Sequence, residues 1–280
     1  MRFATTLQQG RAQLGVVDGA DWIGLGTELR AALEAGTDLA AAGRAAIASG
    51  PRLPLAAQAF APLVPEPGKI ICLGLNYFDH AKEGGRDKPD YPWFFYRGKS
   101  SLLGHGRPGL VPQVSTRFDY EAELAVVIGR KVPRHVAQAD ALQYVFGYSC
   151  FNDMSVRDFQ KRTPQWTIGK NFDATGGFGP VLVTADELAP GATGLRIQSR
   201  LNGQVMQDAN TDDMIFSVAE TIHLLAQCLT LEPGDAIIMG TPAGVGQART
   251  PPVWMRAGDT IEIEIEKIGV LRNPIVAEAA

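Results

Sequence analysis

Cysteine is scarce in this 280-residue chain, and its few thiols lie far apart. Cys72, Cys150 and Cys228 are odd in number and form no C-x-x-C pair. Cys72 and Cys150 lie within apolar runs, where a buried free thiol is the common arrangement. We therefore predict reduced, structural cysteines in a reducing compartment.

Long apolar runs and clusters of basic residues are also missing. No run approaches the ~20 residues that a membrane-spanning helix needs, and the opening segment MRFATTLQQGRAQLG has no apolar stretch of a signal peptide. The net charge is −4, and Lys and Arg are scattered, which argues against nucleic acid or an anionic membrane as partner. We expect a cytoplasmic protein.

A phosphate-binding loop is absent as well. The segment GTPAGVG, residues 240–246, is rich in glycine but lacks the G-K-[ST] ending of such a loop. It is better suited to present backbone N–H groups and the Thr241 hydroxyl to an oxyanion or a carboxylate.

The order of predicted elements indicates a mixed α+β, β-rich fold. Residues 1–25 predict short strands with turns at Gln9-Gly10 and Asp18-Gly19, and residues 27–48 predict a helix with Thr27 as its N-cap. A proline-punctuated linker follows, and a second unit opens with the strand KIICLGL, residues 69–75. The remaining chain is mostly strand, with an Asn202-Gly203 hairpin and a helix over residues 213–229. Strands and helices do not alternate, which argues against a doubly wound sheet.

Three acidic residues stand out in FDYEAELAVVIGR, residues 118–130. The even positions are apolar in alternation, as in a half-buried strand, while Asp119, Glu121 and Glu123 fall on the other face. Like charges on one face repel each other unless a cation or protons neutralise them, and oxygen ligands at this spacing suit a hard divalent ion. The alternative is a solvated strand face.

A second polar cluster follows an apolar strand in YVFGYSCFNDMSVRDFQKR, residues 144–162. Asp153 could complete a three-carboxylate site for Mg²⁺ or Mn²⁺. Arg157 could bind a substrate carboxylate through two parallel N–H donors of its guanidinium group. The alternative is the start of a solvated helix, with Asp153 as its cap and Arg157 in an ion pair.

Together these segments resemble the fumarylacetoacetate hydrolase superfamily. FDYEAELAVVIGR, FNDMSVRDFQ, WTIGKNFD (residues 166–173) and IIMGTPAGVG (residues 237–246) look like its serial motifs and occur in the same order. The resemblance covers residues 69–276. It implies a β-roll or barrel catalytic domain over residues 67–280, after a small α+β N-terminal domain over residues 1–66.

The resemblance also implies roles for individual residues. Matching the family motifs assigns the metal ligands to Glu121, Glu123 and Asp153, and contacts with a bound oxo acid to Arg157, Gln160, Lys170 and Thr241. Lys170 is also implied to be catalytic. Asp119 matches no metal ligand of the family. It is a candidate for a residue that orients the ligands without binding the metal itself. Lys99 lies in a segment near the site in relatives, but its role stays open.

A histidine–glutamate pair lies in LGLNYFDHAKEGG, residues 73–85, which resembles the family segment N-Y-x-x-H-x-x-E. His80 and Glu83 are three residues apart and share a face if the stretch is helical. The carboxylate would orient the imidazole as a general base for water. The glycines and the following RDKPDY suit a mobile lid. The alternative is a solvated pair on a surface turn.

The function implied is a metal-dependent hydrolase that cleaves a C–C bond of a 2,4-dioxo acid, acylpyruvate or fumarylacetoacetate-like, through a metal-stabilised enolate. Alternatives are an oxaloacetate decarboxylase and, in aromatic catabolism, a 2-hydroxyhepta-2,4-diene-1,7-dioate isomerase or 2-oxo-dienoate hydratase. A non-catalytic metal-binding protein of the same fold is a third possibility, which the intact acidic residues and the His80–Glu83 pair argue against. Relatives are generally homodimers, so a homodimer is expected.

Overall fold

The computed structural model describes residues 1–85 and 87–279. Arg86, which belongs to the predicted lid, lies outside the described residues. Six α-helices are present in this part of the chain: α1 (Leu29–Glu34), α2 (Leu39–Ser49), α3 (Phe78–Glu83), α4 (Arg157–Gln160), α5 (Thr167–Lys170) and α6 (Val218–Cys228). None of the helices in the described ranges is long and apolar enough to cross a bilayer.

The strands are more numerous than the helices, as predicted. In chain order they are β1 (Arg2–Gln8), β2 (Arg11–Asp18), β3 (Asp21–Gly24), β4 (Leu53–Pro54), β5 (Ile70–Gly74), β6 (Trp93–Tyr96), β7 (Leu102–Leu103), β8 (Gly109–Val111), β9 (Phe118–Asp119), β10 (Ala122–Ile128), β11 (Val145–Asp153), β12 (Ser155–Val156), β13 (Gly176–Thr184), β14 (Arg196–Leu201), β15 (Gln204–Asn210), β16 (Ala236–Ile238), β17 (Thr260–Ile265) and β18 (Gly269–Ala277).

Two large sheets organise the molecule. The first has the order β4-β3-β2-β1-β13-β11-β10-β16-β5-β6, with β7 paired to β13, and the second has the order β15-β14-β17-β18-β8. A two-stranded ribbon joins β9 to β12. Over residues 1–85 and 87–279 both sheets have free ends, so the mixed, β-rich class is confirmed while a closed barrel does not form.

The N-terminal strands extend the main sheet. In β1, Arg2 pairs with Val183 and Phe3 with Leu182 of β13. Further along β1, Thr6 forms a bridge with Phe60 of the linker. The sheet is therefore continuous across the predicted domain boundary at residue 66, and that boundary stays a prediction.

The single helix predicted over residues 27–48 is wrong, because the structure has two. Gly36 adopts φ = +67° between α1 and α2, a left-handed conformation that favours glycine. The Asp38 side chain caps α2 by accepting from Ala41 N at 2.9 Å. Thr27 is not a cap, since Glu28 occupies that position without a side-chain hydrogen bond.

The predicted hairpin and the buried thiols are confirmed, and the last helix is confirmed with a later start. Asn202 and Gly203 have φ of +52° and +81° at the turn between β14 and β15, as a tight hairpin requires. The last long helix, α6, begins at Val218 rather than residue 213, because Ser217 caps it by accepting from Glu220 N. Cys72 and Cys150 are buried free thiols.

Strand β10 is buried on both faces. The prediction of a half-buried strand is therefore wrong, and so is the alternative that its acidic face is exposed to solvent. Leu124 and Val126 belong to one hydrophobic cluster, while Ala125 and Val127 belong to another on the opposite face. The acidic residues therefore enter the protein interior, where unpaired charge is costly.

Candidate active site

Strand register brings three carboxylates together. Ala122 pairs with Asn152 and Glu123 with Phe151 across β10 and β11, and Asp153 N donates to Glu121 O at 3.0 Å. Because alternate residues share a face, this register places Glu121, Glu123 and Asp153 on the same side. One oxygen from each lies within 4.8 Å of the others, and all three side chains are buried.

Cations neutralise two of these three carboxylates. Lys170 Nζ donates to Asp153 Oδ2 at 2.6 Å and also to Glu121. Arg97 forms an ion pair with the other oxygen of Asp153. Arg157 Nη1 lies 2.7 Å from Glu121 Oε1. Lys170 therefore joins the residue that precedes β10 to the end of β11.

Glu123 differs from its neighbours, since no cationic side chain in the described ranges forms an ion pair with it. Its Oε2 accepts from Gly240 N at 2.6 Å. Burial, Asp153 and Glu121 all raise the pKa of Glu123. Burial would also raise the pKa of Glu121, but Arg157 and Lys170 outweigh it and lower that pKa to about 2.

The donor set of this cluster fits a hard divalent cation. All three groups offer carboxylate oxygens, which suit Mg²⁺ and Mn²⁺. An added positive charge would relieve the unfavourable burial of Glu123, which the protein itself leaves without a cation. Mg²⁺ or Mn²⁺ therefore agrees with both the geometry and the charge of the cluster.

Asp119 does not join this cluster, which corrects the prediction of three carboxylates stacked on one strand. It lies on β9, which pairs with β12, and the strand is interrupted between β9 and β10. Its carboxylate accepts from Gly246 N, Gln247 N and, at 2.8 Å, Arg157 Nε. Asp119 thus orients Arg157 behind the carboxylate cluster.

One guanidinium nitrogen of Arg157, with its two N–H donors, has no partner in the described part of the chain. Its Nε is bound to Asp119, and Nη1 contacts Glu121 and donates to Gln160 Oε1 at 3.0 Å. Within residues 1–85 and 87–279, its Nη2 is buried and has no hydrogen-bond partner. A buried guanidinium nitrogen in this state is a binding position for an anionic oxygen.

A cavity of about 270 Å³ opens beside the cluster. Seven of the residues singled out by sequence line it, while Asp153 lies behind Lys170 and Glu83 behind His80. The lining residues are Leu73, Gly74, Leu75, His80, Gly84, Phe95, Glu121, Glu123, Arg157, Gln160, Lys161, Trp166, Lys170, Thr241 and Gln247.

The histidine–glutamate pair lies on α3 at the edge of this cavity. His80 Nδ1 lies 3.2 Å from Glu83 Oε2, and both side chains are partly buried. Glu83 Oε1 accepts from Gly244 N at 2.9 Å, so the pair is tied to the glycine-rich loop. Since Nδ1 faces Glu83, Nε2 is the ring nitrogen available to a ligand.

Arg97 was not among the predicted site residues, whereas Lys99 was named with its role left open. Lys99 is exposed and pairs with Glu66, away from the cavity. Arg97 is buried and also donates to Thr175 Oγ1 at 2.9 Å, besides its ion pair with Asp153. The feature of the sequence that could have indicated Arg97 is its position as a single charged residue directly after the apolar strand WFFY.

Comparison with known proteins establishes the family. Residues 69–276 match the model of the fumarylacetoacetate (FAA) hydrolase C-terminal domain. The chain belongs to the fumarylacetoacetate hydrolase family, whose members are enzymes, as the sequence motifs predicted.

Similar proteins include tautomerases and a hydrolase. Oxaloacetate tautomerase Fahd2a, mitochondrial, of Rattus norvegicus is 41% identical over 241 residues, which cover 86% of this chain and 76% of that protein. Oxaloacetate tautomerase YisK of Bacillus subtilis is 44% identical over 218 residues, covering 76% and 71%. The structure of maleylpyruvate hydrolase from Sphingobium sp. SYK-6 in complex with manganese(II) ion and pyruvate has a TM-score of 0.83 and 31% identity, and all of both chains is covered.

Proposed function

We propose that this protein interconverts the enol and keto forms of oxaloacetate or a similar small 2-oxo dicarboxylate. The observation that carries the proposal is that one cavity of about 270 Å³ is lined both by Glu121 and Glu123 of the carboxylate cluster and by His80, which Glu83 orients. The similarity to two oxaloacetate tautomerases, at 41% and 44% identity, supports this reaction over others.

Binding of the oxo-acid head group would use donors that the protein leaves free. Arg157 Nη2 is buried without a partner, and an ammonium has three donors, of which Lys170 spends two on Asp153 and Glu121. Both side chains line the cavity and would hold a carboxylate and the adjacent oxygen. A divalent cation at Glu121, Glu123 and Asp153, which we propose to be Mg²⁺ or Mn²⁺, would supply further positive charge for the developing oxyanion.

His80 would transfer the proton. In the enol-to-keto direction the hydroxyl proton leaves the oxygen on C2 and a proton is added at C3, so the overall composition does not change. Its Nε2 is the ring nitrogen available for this step, and Glu83, held by Gly244 N, fixes the ring. No water has to attack the substrate.

A dicarboxylate suits this cavity because a third cation lies on its wall, besides Arg157 and Lys170. Lys161 lines the cavity at the C-terminal end of α4 and has no ion-pair partner among residues 1–85 and 87–279. Burial and the neighbouring cations Arg157 and Arg117 lower the pKa of Lys161, so an anion beside it would be favourable. We propose that it contacts the distal carboxylate.

Hydrolysis of a C–C bond in a 2,4-dioxo acid is the second candidate. The same His80–Glu83 pair could activate water, and the maleylpyruvate hydrolase with manganese and pyruvate has the same fold. Decarboxylation of oxaloacetate and isomerisation of a 2-oxo-dienoate would use the same head-group contacts. A homodimer stays an expectation from the family resemblance, and a cytoplasmic location stays an expectation from the sequence pattern.

The test compares these reactions in one preparation with Mn²⁺ and with EDTA. We expect fast loss of the ultraviolet absorbance of enol-oxaloacetate, slow or no release of pyruvate from acylpyruvates, and inhibition by EDTA. His80→Gln should slow tautomerisation at least ~100-fold, as expected for loss of a general acid–base, yet bind oxalate nearly as well as the wild type. Pyruvate release from an acylpyruvate that outpaces tautomerisation would overturn the proposal in favour of hydrolysis.

A further inference from the structure

The buried side-chain amide of Gln207 connects the start of β10 with Thr241 on the cavity wall. Gln207 lies on β15 and is 1% exposed. Its Oε1 accepts from Ala122 N at 3.0 Å and from Ser199 Oγ at 2.9 Å. Its Nε2 donates to Thr241 Oγ1 at 2.7 Å and to Pro242 O at 2.8 Å. All four hydrogen-bonding positions of the amide are therefore filled.

The orientation of this amide is fixed by its backbone partners. Ala122 N can only donate and Pro242 O can only accept, so the oxygen must face Ala122 and the nitrogen must face Pro242. A flipped amide would place its NH₂ group against the Ala122 N–H and its oxygen against the Pro242 carbonyl, and neither backbone group can change its role. The direction of the hydrogen bond to Thr241 follows from this orientation.

The Thr241 hydroxyl then has a defined role. The Thr241 oxygen accepts a hydrogen bond from Gln207 Nε2, so the hydroxyl hydrogen is free to be donated to another group. Thr241 lines the cavity, and within the described ranges its hydroxyl donates to no acceptor. We infer that Gln207 is a positioning residue that makes the Thr241 O–H a donor toward an oxygen of the bound oxo acid.

This inference rests on the proposed function, in that an oxo acid binds in the cavity. It adds a link between the two halves of the site, because Ala122, held by Gln207, stands between Glu121 and Glu123. One amide thus aligns the start of β10, where the two acids flank Ala122, and the hydroxyl that faces the ligand.

Binding of oxalate in the presence of Mg²⁺ measures the predicted effect. Thr241→Val should weaken oxalate binding about tenfold, as expected for loss of a hydrogen bond to a charged group. Gln207→Glu keeps the shape, but its carboxylate only accepts, so the Thr241 hydrogen would turn to it and binding should fall as in Thr241→Val. Ser199→Ala removes the other donor to Gln207 Oε1 and should leave binding unchanged.

A double-mutant cycle separates positioning from general structural support. In Thr241→Val protein, Gln207→Glu should cost little further oxalate affinity, because the group that Gln207 orients is already missing. Mn²⁺ affinity, measured without oxalate, should stay within about twofold of the wild type. Full additivity of the two losses, or a loss of Mn²⁺ affinity equal to that of oxalate, would overturn the inference.

Failure of the proposed function gives a different result. Wild-type protein that binds Mn²⁺ but not oxalate would overturn both proposals, whereas normal oxalate binding by Gln207→Glu protein would overturn only the inference. Thermal unfolding of each variant identifies those that do not fold, and Thr241→Ser, which retains the hydroxyl, should recover wild-type binding.

Discussion

Replacing Glu123 by Gln should have opposite effects on stability and on metal affinity. Four buried carboxylates, Asp119, Glu121, Glu123 and Asp153, face three buried cations, Arg97, Arg157 and Lys170. Glu123 is the acid without a cationic partner, so the substitution removes the surplus charge. The amide keeps an oxygen to accept from Gly240 N.

The size of the effect follows from the spacing of the acids. One oxygen of each acid lies within 4.8 Å of the others, and two unit charges at that limiting separation repel each other by about 3.5 kcal/mol at an effective dielectric constant of about 20. Lys170 lies between Glu121 and Asp153 and offsets part of this repulsion, so we expect Glu123→Gln to stabilise the metal-free protein by about 2 kcal/mol. Mn²⁺ affinity should fall by more than ~100-fold. Even the loss of a residue that only orients a metal ligand lowers metal affinity by roughly 10–100-fold.

The pH dependence has a defined sign. Burial, Asp153 and Glu121 raise the pKa of Glu123, so wild-type protein without metal loses stability as the pH rises from the unfolded value near ~4.3 toward the folded one. The advantage of Glu123→Gln should therefore grow across that interval and then stay constant.

Urea unfolding in EDTA, followed by Mn²⁺ titration calorimetry, measures both effects. Glu34→Gln is the matched control, because Glu34 is exposed and, among the residues that the structure describes, forms an ion pair with Arg30 alone. Its substitution should change stability by less than ~0.5 kcal/mol. A Glu123→Gln protein that is less stable than the wild type in EDTA, or that binds Mn²⁺ equally well, would refute the charge argument.

Three further predictions concern single residues. Lys161→Met should raise KM for oxaloacetate about tenfold, as expected for loss of a charge-assisted contact, and leave KM for a monocarboxylate 2-oxo acid unchanged; equal effects on both in steady-state assays would contradict its proposed role. Arg97→Leu should destabilise the protein by about 3 kcal/mol in urea, because Asp153 would keep only one of its two cations; unchanged stability would show that this ion pair contributes nothing. Gly203→Ala should cost about 1 kcal/mol through its φ of +81° alone, since a Cβ would meet no atom within 4 Å, and a cost above ~3 kcal/mol would point to a clash.

Local pattern predicted those parts of the molecule that depend on local chemistry. The Asn202-Gly203 pair carries its turn geometry in its own backbone preferences, and alternation alone placed Glu121 and Glu123 on one face. Asp119 was misplaced because alternation assumes an unbroken strand, and the break before β10 arises from pairing with different partners, β12 and β11. The break at Gly36 was missed because alanine-rich flanks suggested one continuous helix.

Contacts between distant segments could not be read from pattern in the same way. Arg97 and Asp153 are 56 residues apart in sequence, and only the sheet order brings them together. Gln207 lies beyond the hairpin turn on a strand of the second sheet, and nothing in its neighbours indicates that it meets Thr241. Burial on both faces of β10 likewise depends on which elements cover the sheet.

Because β1 pairs with β13, the first strand of the chain protects an edge of β13 that would otherwise be unpaired. Val181, Leu182 and Val183 of β13 are apolar and buried, and on its other side β13 adjoins β11, which ends in Asp153. A chain shortened by its first 66 residues would present these apolar residues and unpaired backbone groups to other molecules, a known route to aggregation. Shortened versions of the protein should therefore need polar substitutions along β13 before they remain in solution.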